Sequence, residues 1–260
     1  MTKRKITGLV LLKNHPDLVV KIADTREGKN AIHCESAALK DLYDCQLGGM
    51  LLPQLLLENE WEGYLIQVQS YLTTQKGKQS TTLTNLHLTI LTALTHLNRR
   101  FLLFSETTYY QIIEQLALQQ ELRLPREIKE LITDVLSENS KKHKFLCHRV
   151  HGDFAPWNIK AAPDGLMIWD WEDSISDGIV FTDIFHFIIR NAILIGPWSG
   201  VDEILQKIKT ACSTLQTKAT LPVDIDFTIS LQIWIALEFL RNPHPKLLEI
   251  AASLKTTHHD

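Results

Sequence analysis

The sequence predicts an α+β protein in two parts, and three observations carry that expectation. Short β-rich runs crowd residues 1–72, and helical periodicity dominates residues 73–260. One block of strand, loop and hairpin, residues 148–172, breaks into the helical part and holds a dense set of polar side chains.

The bulk properties set the limits. A chain of 260 residues, 45% hydrophobic and 22% charged, has enough apolar material for one large domain or two lobes. Its net charge of -3 lacks the basic excess that would draw it to nucleic acid or to an anionic membrane. The four cysteines, Cys34, Cys45, Cys147 and Cys212, form no Cys-x-x-Cys pair and have no histidines at zinc-ligand spacing, which fits a reduced, cytoplasmic setting. Lys3-Arg4-Lys5 before Ile6–Leu12 imitates a signal peptide, but Lys13 cuts the apolar run short, so the segment reads as a strand. The most apolar later stretch, Ile179–Trp198, carries Asp183, His186, Arg190 and Asn191 and is unsuited to membrane insertion.

Taken in order, residues 5–12 and 18–23 are β-rich runs around Asn14-His15-Pro16-Asp17, a turn-forming cluster, so they are predicted to pair as a hairpin. Glu35 opens a helical pattern with Ala38, Leu42 and Cys45 near one face. Gly63–Leu72 alternates like a strand running into a connector, and a polar segment, 73–82, with Lys76-Gly77-Lys78, marks the change to helix. Helices are predicted over 84–97, over 109–122, and over 125–136 with Pro125 in the first turn. Further helices follow from Thr182, from a capping-box-like Ser199-x-x-Asp202, over 224–240 and over 245–254.

The central block carries the chemistry. Lys144–Val150 reads as a strand, the loop after it holds His151-Gly152-Asp153 and, five positions on, Asn158, and a Pro163-Asp164-Gly165 hairpin returns Asp170 beside them. Transfer of a phosphoryl group to a hydroxyl needs a carboxylate to take the proton and a divalent cation to offset phosphate charge. Asp and Asn supply the hard oxygens Mg²⁺ prefers. The plain alternative is a polar turn around a satisfied core histidine, and His151 itself is assigned to bracing the loop. Glu172, Asp173 and Asp177 could receive a cationic acceptor, and Trp157 and Trp171 could stack on one or simply pack.

With HGDFAPWN at 151–158 and IWDWED at 168–173, the sequence resembles the aminoglycoside phosphotransferase and choline kinase family of small-molecule kinases. The resemblance implies a bilobal protein-kinase-like fold: a small antiparallel β-sheet N-lobe over 1–72 and a larger, mainly helical C-lobe over 73–260. It implies Asp153 as catalytic base, Asn158 and Asp170 as Mg²⁺ ligands, and Lys21, positioned by Glu35, on the phosphates of ATP or GTP. It further implies backbone groups of Gln69 to Tyr71 at the adenine edge and Asp183 bonded to the catalytic loop. Lys21 as a solvated strand residue and Glu35 as a first-turn acid are the bland alternatives.

Acceptors in that family include aminoglycosides, macrolides, choline, ethanolamine, homoserine and sugars; the sequence selects none of them and carries no signal for oligomeric state. The family's N-lobe has a further strand and a glycine-rich phosphate loop, whereas twenty residues precede Lys21 here and Gly8 stands alone, so the lobe reads as abbreviated. That leaves two other classes open: a kinase-like nucleotide-binding module without turnover, and a metal-dependent phosphoesterase, whose Gly-Asn-His cluster is absent.

Overall fold

The computed structural model describes residues 5–13, 15–45, 47–72, 79–120, 124–222 and 225–256. Lys3, Arg4, Asn14, the Lys76-Gly77-Lys78 run and Asp224 lie outside the described residues. The strands are β1 (Lys5–Leu12), β2 (His15–Ala23), β3 (Met50–Leu51), β4 (Leu55–Trp61), β5 (Tyr64–Ser70), β6 (Arg100–Leu103), β7 (Lys144–Val150), β8 (Ile159–Ala162), β9 (Gly165–Ile168) and β10 (Ile175–Ile179). The helices are α1 (Arg26–Cys45), α2 (Asn85–Leu94), α3 (Thr108–Gln120), α4 (Arg126–Val135), α5 (Glu138–Lys141), α6 (Thr182–Phe185), α7 (Asn191–Leu194), α8 (Val201–Lys218), α9 (Phe227–Arg241) and α10 (Pro245–Thr256). The chain divides into two compact units, residues 1–90 with 151–174 and residues 91–150 with 175–260.

In the first unit an antiparallel sheet runs in the order β1-β2-β5-β4. The β1–β2 hairpin forms as predicted, but β2 begins at His15, with Lys13 in a left-handed turn position (φ 50°) and His15, Pro16 and Asp17 of the expected turn cluster inside the strand. Thr7 faces Lys21 across the pair, and Lys5 faces Ala23. On β5, Leu65, Gln67 and Gln69 alternate inward. The edge strand β4 escaped the sequence reading, since its face is nearly all exposed and Leu-Leu-Leu-Glu-Asn-Glu-Trp shows no clean alternation.

Helix α1 covers this sheet with Ala31, Ile32, Glu35, Ser36, Ala38, Leu39 and Leu42 buried, a stripe of three and four spacing. Ala23, Ile32 and Leu65 meet in one apolar cluster. The helix starts at Arg26, nine residues before the predicted point, because the Thr25 hydroxyl accepts from the Gly28 N–H at 3.2 Å and ends it there. Glu35 therefore lies in mid-helix, and the first-turn acid is Glu27. The β8–β9 hairpin extends into a three-stranded sheet with β3 parallel to β9. Its turn residue must be glycine: a Cβ on Gly165 would stand 2.2 Å from the Gly49 carbonyl oxygen.

The second unit has an antiparallel sheet ordered β10-β7-β6, with every residue of β7 but Lys144 buried. The short partners β6 and β10 were not foreseen. Helix α9 is buried on nearly all sides from Ser230 to Leu240, and α3, α4, α6 and α10 pack against it. Asp226 caps it by accepting from the Thr228 N–H at 2.7 Å. A π-helical turn, His186–Arg190, joins α6 to α7. The box expected at Ser199 with Asp202 gives way to a glycine N-cap: Gly200 takes that position on α8 with φ 93°, and the Ser199 side chain bonds Glu203 instead. Among the described residues, no helix is long and apolar enough to cross a membrane.

Candidate active site

Within the first unit, β2 delivers Lys21 and α1 delivers Glu35 to the same point. The Lys21 ammonium, 5% exposed as a residue, donates to both Glu35 carboxylate oxygens at 2.8 and 2.7 Å and to Asp170 Oδ1 at 2.7 Å. Burial works to lower the Lys21 pKa, but the charges of Glu35 and Asp170 outweigh it and hold the ammonium above its ordinary value. Lys21 is therefore a cation locked between two acids, and the solvated-strand alternative fails.

Asp170 stands two residues past the end of β9 and sits in the left-handed region, at φ 64° and ψ 59°. Asp is one of the few residues with a side chain that tolerate that backbone. The next amide, Trp171 N–H, donates to Glu35 Oε1 at 3.3 Å, so α1 holds both the lysine and the segment bearing the carboxylate. Burial would raise the Asp170 pKa, yet the Lys21 and Lys5 ammoniums bring it down to about 2.

Lys5 is the residue that sequence reasoning passed over. Its ammonium stands 3.3 Å from Asp170 Oδ1 and pairs with the Glu172 carboxylate. The available signal was strand period: Lys5 shares the β1 face of Thr7, which opposes Lys21.

The loop after β7 is built on Gly152, whose φ is 84° and where a Cβ would lie 2.0 Å from the Asp173 carbonyl oxygen. His151, fully buried, accepts from the Asp153 N–H at Nδ1 (3.2 Å). That leaves the proton on Nε2, which donates to the Trp169 carbonyl at 3.1 Å, so both ring nitrogens are spent on holding the loop. Asp153 Oδ2 accepts from Asn158 Nδ2 at 2.7 Å and from Trp157 Nε1 at 3.1 Å. Asn158 Nδ2 also donates to the Asp153 carbonyl at 3.1 Å, which orients the amide and turns Oδ1 away from that carboxylate. The Trp169 N–H bonds the Asn158 carbonyl at 3.2 Å, setting Asn158 one residue from Asp170 across the hairpin. Trp157 thus serves Asp153, and Trp171 is core, fully buried 4.4 Å from the His151 ring.

A cavity of about 420 Å³ opens in this unit. Lys21, Asp170, Gln69 and Tyr71 belong to its wall, together with Lys5 and Lys160; Asp153 and Asn158 do not line it. Among the described residues three lysines and one carboxylate line it, and Glu35 and Glu172, each paired with one of those lysines, balance the charge. Two residues before Gln69 on β5, Gln67 Nε2 donates to the Ile32 carbonyl (3.3 Å) and the Ser36 hydroxyl (2.7 Å), and Gln69 Nε2 donates to Gln67 Oε1 (2.6 Å). The Ser70 N–H is bonded to the Gln54 carbonyl and the Tyr71 N–H to the Asp17 carbonyl, so these two amides are already occupied.

The donor set suits Mg²⁺, which takes one or two protein oxygens and completes its shell with phosphate and water. Asp170 and Asn158 Oδ1 offer that pair, and among the described residues no group of three or more His, Cys, Asp or Glu forms a self-sufficient metal cage.

No family model matches the sequence, and no curated protein matches it. Solved structures do. An amicoumacin kinase, solved with AMP-PNP, Ca²⁺ and Ami, is similar over 92% of this chain and 80% of its own, with a TM-score of 0.56 and 10% identity. The aminoglycoside phosphotransferase APH(3'')-Id of Streptomyces rimosus is similar over 86% of both chains, with a TM-score of 0.53 and 14% identity. An aminoglycoside 2'-phosphotransferase-IIIa, solved with GDP, is similar over 96% of this chain and 88% of its own, with a TM-score of 0.53 and 13% identity. The chain therefore has the α+β, protein-kinase-like fold of the aminoglycoside phosphotransferases.

Proposed function

We propose that this protein is a small-molecule kinase that moves the γ-phosphoryl group of ATP or GTP to a hydroxyl of a small polar acceptor such as an aminoglycoside, sugar or amino alcohol. The observation that supports this most is the buried bridge of Lys21 to Glu35 and Asp170 in the wall of the cavity. A cation held at 2.7 Å between two acids is an ordered group that can trade one carboxylate for phosphate oxygens without moving its anchor. In this reading the sheet half, residues 1–72, holds nucleotide and the remainder brings the acceptor.

Asp153 takes the acceptor's proton. Asn158 and Trp157 fix the orientation of its carboxylate, and His151 sets the loop that carries it. Asn158 and Asp170 would hold Mg²⁺, which offsets charge on the phosphates. Gln69 and Tyr71 line the nucleoside end. Tyr71's own N–H is engaged, so recognition there falls to its carbonyl and to side-chain groups. The solved neighbours bound to AMP-PNP or GDP make both donor classes worth testing.

The test is a screen of hydroxyl acceptors with ATP and GTP in parallel. Transfer to one acceptor class is expected, and Asp153→Asn is expected to keep nucleotide binding while losing roughly two to four decades of turnover. Full turnover in that variant would remove Asp153 from the mechanism. A second reading, a nucleotide-binding module without turnover, is favoured by one fact: Asp170 Oδ1 already carries two ammonium groups. Nucleotide binding without transfer to any acceptor would decide for it.

A further inference from the structure

Lys5, Thr7 and Leu9 form one stripe along β1, at every second residue, and all three line the cavity that Lys21 and Asp170 also line. The hairpin register sets Lys21 opposite Thr7, so Lys5 is its diagonal neighbour on the same face. Two ammonium groups side by side on a half-buried strand face repel unless an anion joins them. Here they converge on one atom, Asp170 Oδ1, at 2.7 Å for Lys21 and 3.3 Å for Lys5. The Lys5 side chain is only 16% exposed, against 7% for Lys21.

The anchors of the two lysines differ. Lys21 has Glu35, buried in mid-helix and aimed at it by two oxygens. Lys5 has Glu172 as its second partner, on the segment directly after Asp170. Each lysine therefore keeps a carboxylate of its own when Asp170 turns to another cation. None of the described residues lining the cavity is a glycine, and the wall they form offers ammonium groups where a glycine-rich backbone would offer amides.

We propose that Lys5 is a second polyphosphate-binding lysine, reaching down from β1 onto the phosphates that Lys21 grips from β2. The proposal rests on the kinase reading of this cavity and adds a residue to it. Arriving nucleotide brings several negative charges, and an Mg²⁺ takes Asp170. Lys5, tethered by Glu172, then exchanges its Asp170 contact for phosphate oxygen. Such charge-assisted contacts are stronger than neutral ones and depend on the number of phosphates, whereas the nucleoside end of the cavity does not feel them.

The experiment measures dissociation constants of adenosine, AMP, ADP and ATP, each with and without Mg²⁺, for wild type, Lys5→Met and Lys5→Arg. Lys5→Met keeps the length and the apolar stem while deleting the charge. It is expected to weaken ADP and ATP roughly ten- to a hundredfold and adenosine less than about twofold, with Lys5→Arg close to wild type. Equal ATP affinity in wild type and Lys5→Met overturns the proposal while leaving the kinase reading intact. Equal loss for adenosine and ATP also overturns it, since that is the mark of β1 losing its anchor. Wild type that binds none of the four sinks the kinase reading itself. If Lys5→Met fails to fold, the ATP-to-adenosine affinity ratio of Lys5→Gln decides in the same way.

Discussion

Asp170 shows how one side chain couples the site to stability. Its folded carboxyl, brought to about 2, lies below the ordinary 3.8, so its ion pairs favour the fold at every pH above about 4. That contribution is lost as pH falls from about 4 towards 2. With a third of the side chain open to solvent, the share to expect is on the order of 1 kcal/mol. Urea midpoints of wild type and Asp170→Asn should thus differ near pH 6 and converge near pH 2; a constant gap would show that the carboxylate's charge is not what stabilises it. Lys21 acts at the other end of the scale, favouring the fold below its ordinary pKa and losing that effect as pH rises through its raised one, while Lys5, pushed down by burial and by the Lys21 charge, weighs against the fold when charged and ceases to as pH rises.

Elements were legible in proportion to how regular their burial is. Strand β7, with six of seven residues buried, stood out as an apolar run, and its bounds match the prediction. Helix α9 was legible for the same reason, being apolar on all sides. Ile235, fully buried at its middle, makes the prediction at this scale: Ile235→Ala should cost about 2–5 kcal/mol, read as a lower urea midpoint, because the helices packed around α9 cannot close the gap. A cost under about 1 kcal/mol would mean that α9 is not the hub it resembles. What was not legible was short or exposed: β4, β6 and β10 carry too few inward side chains for a period to show. The start of α1 was missed because a threonine hydroxyl, not an acid, ends it. Among the site residues, the Lys21–Glu35 contact was implied by the family resemblance, as was the choice of Asp153 and Asn158, whereas Lys5 is visible only once the hairpin register is known.

At the scale of the molecule, the division by compactness cuts across chain order. The loop and hairpin of 151–174 group with the sheet of the first unit, while the strand that leads into them belongs to the second. Each unit has a core of its own, one around Ala23, Ile32 and Leu65 and the other around α9. Chains with two cores commonly depart from all-or-none unfolding. Calorimetry is therefore expected to give a measured enthalpy larger than the van't Hoff value, and nucleotide in excess should raise the transition of the unit holding Lys21. A single two-state transition that nucleotide leaves unmoved would count against both statements.

The left-handed backbone at Asp170 has a bearing on how such a sequence can drift. Glutamate would keep the charge but lose the short side chain that tolerates this conformation, and asparagine or glycine would keep the conformation but lose the charge. Two unrelated demands, one of geometry and one of electrostatics, meet on a single codon. Of the twenty amino acids, aspartate alone meets both.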